Sequence, residues 1–195
     1  MKCNIFKQNY RKVEPNINID INGTDLMLML LYAKGSKGIY NEPILTFTKL
    51  DRMLFLLNKE EAFMNLVDFE FDHENYGPFS AEAFDMMEAL IISGIIMEKH
   101  TTIDLGTLGV IDEIAMDENC DGAMHYKCYP KRFLLLSDKG IKIAEQLWAT
   151  LTDYQKTQLT KFKMQWNYHP LTVILHYIYQ RYPIESGITE SISNK

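Results

Sequence analysis

Metal ligands, nucleophiles or cations recurring at a fixed spacing mark where a chain could do chemistry, and this sequence offers a few such places. Cys120-x4-His125-x2-Cys128, with Asp117 or Asp121 beside it, supplies thiolate, imidazole and carboxylate donors. Structural zinc sites use two close ligand pairs. This spacing is not of that kind, so a loop carrying two incidental thiols is the better reading. Asp68, Glu70 and Asp72, with His73 and Glu74, form an oxygen-rich strip that could attract a hard cation. Alternation with Phe69 and Phe71 already explains it as the wet face of a strand. His169 and His176 are not spaced as a metal pair, and His73, His100 and His125 read as ordinary histidines. The sequence has no Gly-x-Ser-x-Gly elbow, no phosphate loop and no paired-carboxylate signature. The expectation is a chain that is not an enzyme and holds neither metal nor cofactor.

Charge and aromatic placement are more informative. The segment after Tyr76-Gly77-Pro78-Phe79-Ser80 has helical periodicity and carries Glu82, Asp85 and Glu88 but no Lys or Arg. A helix that reads DNA needs donors for base edges and cations near phosphates. Residues 101–130 add Asp104, Asp112, Glu113, Asp117, Glu118 and Asp121 against Lys127 alone. Each carboxylate near phosphate reverses what a lysine gains there by counterion release. Glu82, Asp85, Glu88, Asp112, Glu113, Asp117 and Glu118 therefore read as a surface for a protein, with a basic one the better electrostatic match. Trp166, Tyr177 and Tyr179 join them, because residue types of this kind favour recognition surfaces and these three cannot share one buried stripe. The alternative is a dimeric DNA-binding regulator that grips the duplex with Lys7, Arg11 and Lys12 of a basic N-terminal arm.

Those residues need elements to position them. A length of 195 residues, 47% hydrophobic and 24% charged, suits a folded core and excludes a disordered chain. The longest apolar run, Leu26–Ala33, falls far short of the ~20 residues a membrane helix needs. The first residues lack the apolar stretch of a signal peptide. Cys3, Cys120 and Cys128 form no disulfide framework, which fits a reducing cytoplasm.

Asn22 or Thr24 should cap a helix from Asp25 to about Lys34, apolar all round and so buried on most faces. Thr48 should cap a second, in which Leu50, Met53, Leu54 and Leu57 share one face. Phe69 and Phe71, alternating with Asp68, Glu70 and Asp72, suggest a half-exposed strand or an extended loop. Ser80 should cap the third helix, with Phe84, Met87 and Ile91 inward and Gly94 closing it. Extended segments from Ile95 and over Arg132–Leu136 follow, then helices opened by Ser137, by Thr152 and by Pro170.

Leu30-Leu31-Tyr32-Ala33, Thr48-Lys49-Leu50-Asp51-Arg52-Met53-Leu54-Phe55-Leu56, Tyr76-Gly77-Pro78-Phe79-Ser80 and Leu136-Ser137-Asp138-Lys139-Gly140 together resemble the YwgA-like family of prokaryotic proteins. More distantly they are similar to the Panacea (SocA-type antitoxin) domain, which also has a Tyr-Gly-Pro turn before a helix. The resemblance covers residues 25–150. It implies a mostly helical, winged-helix-like domain without known catalytic residues, and for Panacea domains direct contact with a toxin. The acidic segment 101–130 departs from the compact pattern of these families.

The expected fold is mainly α with a small β wing (α+β), a winged helix-turn-helix-like domain with a C-terminal helical extension. Its parts are an N-terminal arm at 1–22, the winged-helix-like domain at 23–150 with the acidic insertion 101–130 in its wing, helices at 151–185 and a tail at 186–195. The expected role is a cytoplasmic, non-enzymatic adaptor or antitoxin-like module, with nucleic acid as the alternative partner, no membrane partner, and homodimerisation left open.

Overall fold

The computed structural model describes residues 21–64, 66–74, 77–102 and 130–183. The arm residues Lys7, Arg11 and Lys12, the insertion residues Asp112, Glu113, Asp117 and Glu118, the Cys120–His125–Cys128 group and the tail lie outside them.

The described residues form six helices, a three-stranded antiparallel sheet and a short hairpin, a mainly helical α+β architecture. Helix α1 (Gly23–Tyr32) is capped by Asn22, whose side chain accepts from Asp25 N–H while the Asp25 carboxylate accepts from Asn22 N–H. Leu26 to Leu31 are all buried, as a helix apolar on every side must be. It ends at Tyr32, before Lys34, because Asn41 folds back there. Asn41 N–H donates to Tyr32 O at 2.8 Å, and the Asn41 side chain both accepts from Leu136 N–H at 2.8 Å and donates to Leu136 O at 3.0 Å. One amide side chain thus takes the place of a strand neighbour beside Leu136.

Strand β1 (Ile44–Leu45) leads directly into α2 (Phe47–Leu57). The cap of α2 is Thr46, two residues before the Thr48 suggested by the apolar pattern. Strand pairing decides this: Thr46 N–H donates to Arg132 O at 2.9 Å, and Thr46 turns at φ 62°, ψ 154° so that its Oγ1 accepts from Lys49 N–H at 3.3 Å. A non-glycine residue in that region is strained, and the two hydrogen bonds hold it there. Of the strand or extended loop expected at Phe69–Phe71, the chain takes the loop. The hairpin starts later, as β2 (Asp72–Glu74) paired with β3 (Gly77–Phe79), because the aromatic rings are drawn to the core: Phe69 is buried and Phe71 packs on Phe55 with centroids 5.5 Å apart.

Helix α3 (Ala81–Ile92) is capped by Ser80 as expected, and Gly94, at φ 68°, ends it. Met87 is buried, with Phe84 and Ile91 partly so. The chain then forms β4 (Ile96–Thr102) and, after residues 103–129, β5 (Pro130–Leu136). The sheet order is β1-β5-β4, in register from Ile96↔Leu136 to Thr102↔Pro130 and at Ile44↔Leu134.

Helix α4 (Asp138–Thr150) starts at Ser137, whose N–H donates to Ile95 O and whose hydroxyl donates to Gly94 O. Its first turn lies so close to the β4 entry that a Cβ on Gly140 would sit 2.2 Å from Ile95 O. That contact explains the glycine of the Ser-Asp-Lys-Gly run. Helix α5 (Asp153–Tyr168), opened by a Thr152–Gln155 capping box, and α6 (Leu171–Arg181), which follows Pro170, complete the chain. Leu159, Phe162, Trp166, Ile174 and Ile178 belong to the same apolar cluster as α1 and α2, so 151–183 shares one core with the residues before it. No helix among the described residues is long and apolar enough to cross a membrane.

Replacing the true cap should cost more than replacing its neighbour. Thr46→Ala is expected to lower unfolding free energy by about 1 kcal/mol in urea titration, and Thr48→Ala by no more than about 0.5 kcal/mol.

Candidate functional site

Two buried polar clusters and two exposed faces organise the chemistry of this fold. The first cluster lies on α2. Its sequence pattern placed Lys49, Asp51 and Arg52 away from the apolar face, yet all three are buried, as is Ser80. Helix α2 is enclosed on every side, so its polar residues must find protein partners. The Asp51 carboxylate pairs with the Arg52 guanidinium and also accepts from Ser80 N–H at 3.3 Å. Ser80 Oγ in turn accepts from Ala83 N–H at 3.2 Å. The N-terminus of α3 is thereby tied to the middle of α2. Gly77, at φ 97°, lets the hairpin pass over this point, since a Cβ there would lie 2.9 Å from Leu175 and 3.3 Å from Arg52 Nε. Tyr179 closes the site from α6; burial raises the pKa of its hydroxyl, and the Arg52 charge partly offsets this.

The second cluster centres on Glu42. Its carboxylate accepts from Ser36 N–H (3.1 Å), Ser36 Oγ–H (2.8 Å), Lys37 N–H (2.7 Å) and the Asn167 amide (3.0 Å). Burial pushes its pKa up, but these donors outweigh burial and hold it below the usual carboxylate value. Asn167 also donates to Pro43 O at 3.1 Å. Two buried lysines then satisfy helix ends that lack basic residues of their own. Lys163 Nζ donates to Leu31 O, in the last turn of α1, at 2.6 Å. Lys49 Nζ donates to Asn167 O, in the last turn of α5, at 3.2 Å. Carbonyls at helix C-termini have no intrahelical partner and carry the negative end of the dipole, so each ammonium is well placed. Burial pushes the Lys163 pKa down to about 7, with Glu42 pulling it the other way.

An open cleft of about 320 Å³ lies beside this second cluster, with Glu42, Lys49, Asn167, Phe133 and Tyr168 among its lining residues.

The surface residues singled out by sequence do not converge. Glu82, Asp85 and Glu88 are exposed along one side of α3, together with Ala81, Ala89 and Ile92. Trp166 is buried and meets the half-exposed Tyr177 at a centroid distance of 4.9 Å. Tyr179 turns to the opposite side of α6, under the β2–β3 hairpin. Among the described residues no group of His, Cys, Asp and Glu is placed to hold a metal ion. Sequence reasoning passed over Glu42, Asp51, Arg52, Lys49 and Asn167; it grouped Lys163 with Lys156 and Lys161 as a scattered solvated face that could alternatively grip DNA, whereas Lys163 is fully buried. The one signal in the sequence was the run Thr46-Phe47-Thr48-Lys49-Leu50-Asp51-Arg52, whose charged residues interrupt an otherwise apolar segment.

No family model matches the chain, and no curated protein matches it.

Removing one member of the α2 pair should expose its cost. Asp51→Ala is expected to lose about 3–5 kcal/mol, and Asp51→Ala with Arg52→Met to recover a good part of it in the same unfolding titration. Lys163 predicts a pH dependence of definite sign. The unfolded lysine keeps its proton up to the usual 10.5 and the folded one releases it near 7, so stability rises with pH between those values. The wild type should gain on Lys163→Met across that window by up to about 1.4 kcal/mol per pH unit. Equal slopes for the two proteins would mean the amine is not held in a depressed state.

Proposed function

We propose that this chain is a non-enzymatic protein-binding module on a winged-helix-like scaffold, in which the acidic face of α3 receives a basic partner. The element order supports the scaffold: helix, strand, helix, helix, strand, strand, with the first strand pairing the last, is the order of a winged helix. The β2–β3 hairpin is then an addition between its second and third helices. Residues carrying the resemblance to YwgA-like and Panacea sequences sit at structural joints of that scaffold, at the Gly77 hairpin, the α2 charge pair and the Gly140 contact. An antitoxin-like role, in which the partner is held by direct contact, belongs to the same proposal.

One observation carries the choice of partner. The side of α3 that the core leaves in solvent presents Glu82, Asp85 and Glu88, and the helix contains no lysine or arginine. In a winged helix that is the surface a duplex would meet, and three carboxylates there oppose phosphate while attracting a basic protein. Ile92 at its end is 86% exposed, an apolar contact at the edge of the charged stripe.

The test is the triple charge reversal Glu82→Lys, Asp85→Lys, Glu88→Lys, made on exposed positions where each change should alter stability by less than about 0.5 kcal/mol. Partner capture by the intact chain should be lost in the variant while its melting temperature holds. Tight binding of the unaltered chain to duplex DNA at about 150 mM salt, abolished by Lys7→Ala, Arg11→Ala and Lys12→Ala together, would replace this reading with that of a DNA-binding regulator.

A further inference from the structure

We infer that the outward side of α5 docks against the acidic face of α3 in a second copy of this chain, an inference that rests on reading α3 as a protein-binding surface.

Helix α5 is apolar on two sides, and the core accounts for one of them. Leu159, Phe162 and Trp166 face inward and are buried. Tyr154, Thr157, Lys161, Met164 and Tyr168 are all exposed and recur at steps of three and four residues, the spacing by which one helix packs along another. Tyr154 is 56% exposed, Met164 42% and Tyr168 75%. Single apolar residues at a surface are ordinary, but three on one stripe of a 16-residue helix form a seam. A helix apolar on two sides has the pattern of one covered on both.

Charge and spacing select α3 as the covering element. Lys161 sits in the middle of the seam and is its only charged residue. A two-fold pairing that matched two such seams end to end would set Lys161 against its own equivalent, which opposes it. Helix α3 offers the complement. Ala81, Asp85, Glu88 and Ile92 are exposed at the same three-and-four spacing, Glu82 and Ala89 flank them, and the helix has no cation. Among the described residues none of Glu82, Asp85, Glu88 and Lys161 makes an ion pair, so both faces offer their charge outward. With Lys161 set between Asp85 and Glu88, Ile92 lies about 8 Å further along the axis. That places it between Met164 and Tyr168 if the helices run parallel and beside Tyr154 if they run antiparallel. The two faces differ, so the assembly is head-to-tail. One helix laid on another buries less than about 1,200 Å², the range of weak and transient contacts.

The experiment is sedimentation velocity on the full chain from about 5 μM to about 500 μM, where a contact of this size is populated. The weight-average sedimentation coefficient should rise with concentration and fall back as salt goes from about 50 mM to about 500 mM. Two variants alter opposite sides: Glu82→Lys, Asp85→Lys, Glu88→Lys on α3, and Lys161→Glu with Gln165→Glu, both exposed, on α5. Each alone should weaken association at least about 10-fold. An equimolar mixture of the two should restore it, because the unaltered α5 of the first meets the unaltered α3 of the second. Met164→Ser with Tyr168→Ala leaves every charge in place and should weaken association at least about 3-fold with circular dichroism unchanged. A chain that stays monomeric, or a mixture no better than its components, would overturn the inference. So would association lost on the α5 changes but indifferent to those on α3, which is the behaviour of a symmetric α5 pairing. A monomeric chain that still captures a basic protein through α3 would sink self-docking and leave the α3 reading in place.

Discussion

Burying a cation in this fold requires an oxygen to meet it, and that requirement fixes how the helices are joined. Arg52 is met by Asp51, Lys49 by the carbonyl of Asn167, and Lys163 by the carbonyl of Leu31. An unpaired ammonium or guanidinium at these depths would cost several kcal/mol, so none of the three helices involved can slide without breaking a bond it cannot replace with water. Apolar packing supplies the bulk of the stabilisation, but it tolerates small shifts. The charged contacts do not, and they set the register.

Each of the three joins separate parts of the chain. The Asp51–Arg52 pair reaches the cap of α3 through Ser80, which holds the acidic stripe at a fixed angle to the sheet. Lys163 brings α5 against the end of α1 over a span of 132 residues. Lys49, with Glu42 and Asn167, fastens the start of α2 to the end of α5 and leaves the cleft between them. The exposed α3 stripe and the cleft therefore stand on separate clusters. The α3 stripe depends on the first, and the cleft on the second.

Lysines that cap helices from another part of the chain explain an otherwise odd arrangement. Neither α1 nor α5 has a basic residue in its last turn, where one would ordinarily favour the dipole. The compensation comes from α5 and α2. Because Lys163 is wholly enclosed, its charge carries a desolvation cost that Glu42 only partly offsets, and its proton is held weakly. This places an ionisation near neutral pH inside the junction between α1 and α5.

Local rules account for much of this protein. The period of Leu50, Met53, Leu54 and Leu57, the caps at Asn22, Ser80, Ser137 and Thr152, and the stop at Gly94 depend on side chains and backbone within one turn, so they are legible residue by residue. The carboxylates of α3 were legible as exposed for the same reason. Thr46 displaced Thr48 as a cap because Arg132, far along the chain, accepts its N–H and turns the backbone there. The period of α2 marks only the face of Leu50, Met53, Leu54 and Leu57; Asp51 and Arg52 are buried because the hairpin and α6 cover the other side, which periodicity within α2 does not register. Glu42, Lys163 and Asn167 meet only after five helices have packed. Local pattern determined which segments would be helices and which of their faces would be charged; long-range contact alone decided which charges went inside, since an ion's burial depends on the partner that arrives to neutralise it.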